Sequence, residues 1–290
     1  MKYTDKLYGK CELSGVIEEL ISTGVFQRLR KIHQGGALFL VNNKINHTRF
    51  EHSVGVMLLI KRLGGNIEEQ IAGLLHDISH TAFSHLIDYV LEIEEEDFHE
   101  RRYEEVLQNR ELFLILEKYG FTMNQFSKIE QYHILEYPLP YLSADRIDYT
   151  LRDLFQIGKI STNEIDWFLD GLITHENRVV LKSEEYGKWF QSKYNYLNTA
   201  YFGGEESKLI NTVMKQIIKN CLREGTIEIS DFYEDDFYLI EKIEKIMNLK
   251  KHIGELTLKG LGNNDIKTKS RIVNPEVLVN NKVTRLSEIK

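Results

Sequence analysis

Cysteine, proline and long apolar runs are all scarce in this sequence of 290 residues. The two cysteines, Cys11 and Cys221, fit neither a Cys-x-x-Cys motif nor a finger spacing with histidine. This spacing argues against a secreted disulfide scaffold and against a structural zinc module. No apolar stretch approaches the roughly 18–20 residues of a membrane span, and the N-terminus lacks the apolar segment of a signal peptide. We therefore expect a soluble, cytoplasmic protein with no membrane partner.

Charge is distributed unevenly along the chain. The net charge of −7 argues against broad electrostatic binding to nucleic acid, and no particular nucleic-acid or protein partner is indicated. Nine acidic residues between positions 88 and 105 predict a solvated surface loop. After residue 240 basic residues dominate, and four residues predict breaks in any helix there: Gly260, Gly262, Asn263 and Asn264. Residues 226–290 are therefore interpreted as a helical and irregular extension that packs on the core or on a neighbouring subunit.

The fold class follows from periodicity. Only three prolines are present, and apolar residues recur at i, i+3 and i+4, so the sequence predicts an all-α fold. The candidate helices span residues 15–33, 50–63, 67–79, 82–92, 99–119, 124–135, 142–157, 163–172, 184–202, 205–224 and 234–248. The segment from Leu172 to Leu181 predicts a small β-hairpin, and residues 37–43 and the tail are further extended candidates.

Histidine is concentrated in one part of the chain. Five of the ten histidines lie between residues 47 and 85. His76-Asp77 and His80 are followed closely by His85 and Asp88, so three histidines and two aspartates occur within thirteen residues. An isolated histidine on an apolar helix usually satisfies a core hydrogen bond, but this density indicates a metal or catalytic site. His76 and His80 are one turn apart and are predicted to share a helix face.

Two flanking motifs complete a recognisable pattern. The first is Thr48-Arg49-Phe50-Glu51-His52-Ser53, and the second is Ser143-Ala144-Asp145-Arg146-Ile147-Asp148-Tyr149-Thr150-Leu151-Arg152-Asp153. Together they form the order H…HD…D, in which the sequence resembles the HD superfamily of metal-dependent phosphohydrolases. The flanks resemble one branch, the deoxynucleoside triphosphate triphosphohydrolases, which include bacterial dGTPases and a vertebrate antiviral dNTPase with a sterile-alpha-motif. The resemblance runs from Phe26 to about Tyr201 and implies an HD-domain helical bundle, which we assign to residues 1–225.

The resemblance implies a metal site. Its ligands are His52, His76, Asp77 and Asp145. Two imidazoles and two carboxylates suit Mn²⁺, Fe²⁺, Co²⁺, Ni²⁺ or Mg²⁺, whereas a lone Zn²⁺ more naturally takes three ligands and a water. Such a metal polarises a phosphoryl oxygen and orients or acidifies a water, which are the two tasks of phosphate-ester hydrolysis.

The resemblance also implies a reaction. In the family, water attacks the α-phosphorus and the products are a deoxynucleoside and intact triphosphate. The 5′ alkoxide is a poor leaving group, so a side chain should protonate it. By resemblance this donor is His85, with Asp88 holding its tautomer. His80 would contact the α-phosphate, and His99 matches another active-site histidine.

Substrate-binding residues are implied in the same way. A triphosphate requires cations around it, and the matching positions are Arg49, Arg146 and Lys193. Lys193 stands where eukaryotic relatives have arginine, so the charge is kept and the bidentate fork is lost. The sugar would be contacted by Gln34, Tyr149, Asp153 and Tyr201.

Other interpretations stay open. The same site would suit a nucleotide monophosphatase or a single-strand nuclease. A non-enzymatic alternative is a nucleotide-sensing interaction subunit that uses Arg28, Arg30 and the basic tail. For the leading hypothesis we expect a nucleoside triphosphate substrate and a homo-oligomer, in nucleotide homeostasis or in phage defence.

Overall fold

The computed structural model describes residues 1–258 and 271–289. Their helices are α1 (Gly15–Ser22), α2 (Gly24–Gln27), α3 (Arg49–Arg62), α4 (Ile67–Leu75), α5 (Leu86–Leu91), α6 (Tyr103–Leu107), α7 (Arg110–Lys118), α8 (Met123–Phe126), α9 (Ala144–Gln156), α10 (Thr162–Asp170), α11 (Glu184–Tyr196), α12 (Glu205–Arg223), α13 (Asp236–Glu244) and α14 (Leu249–Leu258). The strands are β1 (Lys2–Asp5), β2 (Gly9–Glu12), β3 (Leu172–His175), β4 (Arg178–Leu181), β5 (Glu276–Val279) and β6 (Lys282–Arg285). The predicted helical fold, with a small hairpin and a partly irregular C-terminal extension, is confirmed.

Helix α3 forms the centre of the molecule. Eleven of its fourteen residues are buried, and it packs against both α4 and α9. From residue 54 to residue 60 every residue of α3 is apolar or glycine and is buried, so this stretch must be covered on every side, which explains its position. At Gly55 the α9 side chains approach so closely that a Cβ atom would overlap the Arg152 guanidinium and the Asp148 carboxylate.

Capping residues set the starts of the two helices around the centre. Thr48 and Glu51 form a reciprocal capping box at α3, in which the Thr48 N–H donates to Glu51 Oε2 at 3.0 Å. At α9, Ser143 Oγ accepts a hydrogen bond from the Arg146 N–H at 3.3 Å. These caps satisfy N–H groups that have no partner inside the helix. They fix the first turns of α3 and α9.

Two small sheets lie at the periphery. Strands β1 and β2 pair antiparallel. The predicted hairpin is β3–β4, and the C-terminal hairpin β5–β6 extends it through a parallel pair of Leu181 with Val277. Val277 also packs near Gly187 of α11, so the end of the chain contacts the helical core. Within the described residues, no helix is long and apolar enough to cross a membrane.

Several local predictions were wrong. The predicted helix over 15–33 ends at Ser22 and restarts at Gly24, because the Thr23 side chain caps a new helix by accepting from the Phe26 N–H. The segment predicted as extended over 37–43 begins as a 3₁₀ helix, since a short apolar run does not by itself distinguish strand from helix. The predicted helix over 124–135 ends at Phe126. The breaks predicted at 260–264 lie outside the described residues.

Candidate active site

Four side chains from the ends of three helices converge on one point. His52 lies in the first turn of α3, His76 directly follows α4, and Asp145 lies in the first turn of α9. The His52 Nε2 atom is 3.0 Å from Asp145 Oδ1 and 3.3 Å from His76 Nε2. Asp77 Oδ1 is 3.5 Å from His76 Nε2. Two imidazole nitrogens and two carboxylates thus lie within coordination reach of a single ion.

Hydrogen bonds behind the two histidines determine which ring nitrogen faces this point. His52 Nδ1 donates to Asp148 Oδ1 at 2.8 Å, and His76 Nδ1 donates to the Gly73 carbonyl at 2.8 Å. Both Nε2 atoms therefore face this point, and two neutral rings would direct lone pairs at each other, which repel unless a proton or a cation lies between them. The donor set fits a divalent metal of the types that accept mixed nitrogen and oxygen ligands.

The surrounding charges also favour a cation. Burial opposes a charged His52, but hydrogen bonds to Asp145 and Asp148 outweigh burial and raise the pKa of His52 to about 9. Burial likewise opposes a charged His76, and Asp77 and Asp145 raise its pKa. A positive charge, carried by a proton or by a metal ion, therefore stabilises the carboxylates of this cluster.

Arg49 links the cluster to the loop after α4. Its Nη1 donates to Asp77 Oδ2 at 2.6 Å, and its Nε donates to Ser84 Oγ at 3.0 Å. Burial raises the pKa of Asp77, but the charges of Arg49 and the histidines outweigh it and hold that pKa well below its usual range. Phe83 and Ser84 have φ of 57° and 50°. Such left-handed conformations are costly outside glycine and concentrate at functional sites.

Three further histidines form a second group. His80 and His99 stack with ring centroids 3.8 Å apart, and His85 meets both rings edge-on. His85 Nδ1 donates to Asp88 Oδ2 at 3.2 Å, and Asp88 Oδ1 accepts from the Phe98 N–H at 3.0 Å. The Asp88 carboxylate therefore joins α5 to the segment that carries His99. The predicted shared helix face of His76 and His80 was wrong, because α4 ends at Leu75.

Burial determines the charge of this second group. Burial and the charge of Arg49 lower the pKa of His80 far below its usual value. Burial and the charge of His85 lower the pKa of His99 to about 3. Burial raises the pKa of Asp88, but the hydrogen bond from His85 outweighs it and the pKa is lowered. Near neutral pH, two neutral imidazoles and an ionised carboxylate thus surround His85.

One cavity of about 630 Å³ opens onto both groups. Of the predicted site residues it is lined by Gln34, Arg49, His76, Asp77, His80, His85, His99, Asp145, Arg146, Tyr149 and Asp153. Within the described part of the chain, Gln34 Oε1, Asn211 Oδ1 and both Asp153 carboxylate oxygens are buried without a hydrogen-bond partner. His47 Nε2 is 3.1 Å from Asp153 Oδ1 but is not aligned to donate to it. Buried polar atoms normally have partners, so these atoms are available to accept hydrogen bonds from a water or from a ligand in the cavity.

Two predicted substrate residues lie outside the cavity wall. Lys193 Nζ donates to the Lys159 carbonyl at 3.1 Å and is 3.3 Å from Glu164 Oε1. Tyr201 lies behind the wall beside Gly35, and its hydroxyl has no hydrogen-bond partner among the described residues. The structure therefore does not bring Lys193 together with the other predicted phosphate ligands.

Arg146 reaches the cavity wall, but its guanidinium is already engaged. Its Nη1 donates to the carbonyls of Tyr137 at 3.1 Å and Tyr141 at 2.7 Å, and its Nη2 is 3.4 Å from Glu136 Oε1. Burial and the nearby Asp145 carboxylate raise the pKa of Glu136 to about 7. Glu136 was missed in the sequence, because no motif surrounds it.

Other residues of the site were also missed. Asp148 follows Asp145 by three positions on α9, and this helical spacing was a signal that could have been used. Lys208 of α12 and Arg271 of the C-terminal extension line the cavity, and Arg271 Nη2 is 2.7 Å from Glu96 Oε2. No local pattern distinguishes these two cations from surface residues.

The arginines of the sensor hypothesis contact the protein itself. Arg28 Nη1 donates to the Glu234 carbonyl at 2.9 Å, and Arg28 Nη2 donates to the Ile78 carbonyl at 3.0 Å. The Arg30 guanidinium lies 3.5 Å from the centre of the Phe50 ring. Both side chains therefore have structural contacts that account for their presence.

Comparison with known proteins identifies the family. The HD domain matches residues 49–163, the stretch that carries the four converging side chains. The uncharacterized protein YdhJ of Bacillus subtilis is 40% identical over 299 residues, which cover 100% of this chain and 92% of YdhJ. The chain belongs to the same family as YdhJ and contains an HD domain. Its cofactor is a divalent metal, and His52, His76 and Asp77 have ligand atoms close enough together to hold one ion.

Other similarities of this HD-domain protein are partial or structural. "Metal-dependent phosphohydrolase cns2" of Cordyceps militaris is 39% identical over 55% of this chain and 47% of its own length. The deoxynucleoside triphosphate triphosphohydrolase SAMHD1 of Danio rerio is 40% identical over 30% of this chain, and the match spans only 16% of the relative. A hypothetical protein from Aquifex aeolicus has the same fold, with a TM-score of 0.77 at 21% identity over 100% of this chain and 92% of the other.

Proposed function

We propose that this HD-domain protein hydrolyses deoxynucleoside triphosphates at the α-phosphorus and releases a deoxynucleoside and intact triphosphate. The observation that carries the proposal is a single cavity of about 630 Å³ that borders a metal-type cluster, the His85–Asp88 pair and the unpartnered polar atoms of Gln34 and Asp153. Its volume lies within the range of about 300–1,000 Å³ that small-molecule sites occupy. Partial similarity to enzymes named as deoxynucleoside triphosphate triphosphohydrolases supports the substrate class.

The proposed metal ligands are His52, His76, Asp77 and Asp145. When bound, the metal supplies a Lewis acid for a phosphoryl oxygen and lowers the pKa of a bound water. Asp148 orients the His52 ring, and the Gly73 carbonyl orients the His76 ring, so both Nε2 atoms are directed before the ion arrives. Asp77 stays ionised because Arg49 pairs with it.

His85 is the proposed proton donor to the 5′ oxygen. Its Nδ1 is bonded to Asp88, which leaves Nε2 for the leaving group and stabilises the ring when it is protonated. His80 and His99 are neutral, so they offer N–H donors to phosphate oxygens without adding charge. The acceptor atoms of Gln34 and Asp153 suit the hydroxyl donor of a deoxyribose.

A second candidate is a nucleotide monophosphatase on the same site. It is favoured by the position of Lys193, whose ammonium is paired with Glu164, and by the engagement of Arg146 with loop carbonyls. Fewer cations are then available than a triphosphate of about four negative charges would ordinarily require.

Product analysis tests the two candidates. The purified protein is incubated with Mn²⁺ or Mg²⁺ and with each dNTP, rNTP and dNMP, singly and in mixtures, and the products are separated by anion exchange. Triphosphate with nucleoside is the expected result, and His76→Ala should abolish it. Orthophosphate from dNMP would favour the monophosphatase, and the absence of any turnover would refute both. Light scattering on the same sample measures the expected homo-oligomer.

A further inference from the structure

Asp148 is buried directly behind a proposed metal ligand and is held by four hydrogen bonds. Its Oδ1 accepts from His52 Nδ1 at 2.8 Å and from Arg152 Nε at 2.9 Å. Its Oδ2 accepts from Arg152 Nη2 at 2.9 Å and from the Tyr8 hydroxyl at 2.8 Å. Each oxygen thus has two donors, which fixes the plane of the carboxylate that orients His52.

Tyr8 belongs to the turn between β1 and β2, and Asp5 shapes that turn. Asp5 Oδ1 accepts from the Leu7 N–H at 2.8 Å and from the Tyr8 N–H at 3.2 Å. Asp5 Oδ2 also pairs with Arg152 Nη2 at 3.2 Å. Asp5, Asp148 and Arg152 are all buried, so the N-terminal hairpin and α9 share one ionic network.

The backbone of α3 leaves room for this network. Gly55 follows His52 by three positions, and its missing Cβ is where the Arg152 guanidinium and the Asp148 carboxylate lie. The side chains therefore lie directly against the helix that carries His52.

We propose that the turn of the N-terminal hairpin, through Tyr8 and Asp5, positions His52 for metal binding. This inference rests on the proposed function, because it takes His52 as a metal ligand. The hairpin lies outside residues 49–163, where the HD domain matches. Partners behind a ligand fix its tautomer and orientation, and their loss typically lowers metal affinity by about 10–100-fold. Tyr8 and Asp5 are positioning residues, since neither touches the ion.

The test is a titration with Mn²⁺ of the whole chain after a chelator has removed bound metal. Calorimetry and the electron paramagnetic resonance signal of free Mn²⁺ both measure the binding. Tyr8→Phe removes one hydroxyl and should weaken Mn²⁺ binding about tenfold. Asp5→Asn keeps an oxygen for the two turn N–H groups, removes the charge opposite Arg152, and should weaken binding similarly. Among the described residues the hydrogen-bond donors to the Asp148 carboxylate are His52, Arg152 and Tyr8, so Tyr3→Phe in the same hairpin is the matched control and should bind Mn²⁺ like the wild type.

Kinetic constants and Mn²⁺ affinity separate the outcomes. At saturating Mn²⁺ the KM for nucleotide should be unchanged, while the Mn²⁺ concentration for half-maximal activity rises. Wild-type Mn²⁺ affinity in both Tyr8→Phe and Asp5→Asn, with or without a lower Tm, would overturn the inference. If Tyr8→Phe does not fold, the Mn²⁺ affinity of Asp5→Asn alone tests the inference. Wild-type binding by His52→Ala would instead overturn the metal assignment itself, so the two failures are distinguishable.

Discussion

The imidazole of His99 stacks on the imidazole of His80, with the ring planes 12° apart and the centroids 3.8 Å apart. The two residues are nineteen positions apart in the sequence, and the segment before His99 is fastened by the Phe98 N–H on Asp88. Because burial keeps both rings neutral, the stack does not suffer charge repulsion. It forms one wall of the cavity, next to the more exposed His85.

Replacing His85 should separate catalysis from metal binding. His85→Ala removes the proposed acid and should lower kcat by about 10²–10⁴-fold, while the metal content stays at the wild-type level. Steady-state kinetics and metal analysis on the same preparation measure both quantities. His175→Ala, at an exposed histidine of β3, is the control and should be silent. A near-normal rate in His85→Ala would mean that another group protonates the leaving oxygen.

The metal-free protein should lose stability as the pH rises from about 6.5 to 9. The pKa of His52 is raised from 6.5 to about 9 in the folded state. The stabilisation by its positive charge is therefore complete below pH 6.5, the pKa in the unfolded chain, and is lost as the pH rises through the folded-state pKa of about 9. A shift of this size corresponds to on the order of 3 kcal/mol. Urea denaturation in the presence of a chelator measures it, and His52→Gln should flatten the slope. A flat wild-type profile would contradict the prediction.

Metal binding should show the opposite dependence on pH. Because the metal displaces the proton of His52, Mn²⁺ affinity should increase between about pH 6.5 and 9 and proton release should accompany binding. Calorimetric titrations in buffers of different ionisation enthalpy measure the released protons. Binding without proton release at pH 7 would show that His52 is neutral before the metal arrives.

A methyl group at Gly55 should disrupt the centre of the fold. The new Cβ in Gly55→Ala would overlap Arg152 and Asp148 and separate a buried ion pair, which typically costs about 3–5 kcal/mol. Gly254→Ala is the matched control, because no atom among the described residues lies within 4 Å of its added Cβ in α14. The control should be neutral or stabilising by up to about 1 kcal/mol. Equal stability of the two variants, measured by urea denaturation, would refute the close packing of α3 on α9.

The cations around the cavity should differ in their effect on substrate affinity. Lys193→Ala should change the KM for a triphosphate by less than about twofold, because its ammonium is held by Glu164 and the Lys159 carbonyl. Arg271→Ala should raise that KM about tenfold, since Arg271 lines the cavity and its loss removes a positive charge from the cavity wall. Steady-state kinetics on both variants measure this order. A larger increase in KM for Lys193→Ala than for Arg271→Ala would place the phosphates near α11.

The metal-type cluster could be read from the sequence for a physical reason. His76-Asp77 follows an apolar helix directly, and His52 and Asp145 each lie in the first turn of a capped helix. Helix ends and caps are local features that a motif can encode, and the resemblance of the H…HD…D order to the HD superfamily implied these residues as a group. The hairpin at Leu172–Leu181 was likewise predictable, because its apolar strands flank a polar turn.

Tertiary structure decided which residues that are far apart in the sequence come into contact, because local sequence patterns do not encode such contacts. Lys193 and Tyr201 lie eight positions apart, but Leu197–Phe202 is a π-helix, which changes the register of Tyr201 relative to Lys193. Tyr8 reaches Asp148 across 140 positions, and Arg271 reaches Glu96 across 175. Such contacts depend on how α3, α9 and the two ends of the chain pack. The sequence by itself therefore determined the helical class and, through the family resemblance, predicted the metal-type donors, whereas packing decided which distant side chains orient those donors and line the cavity.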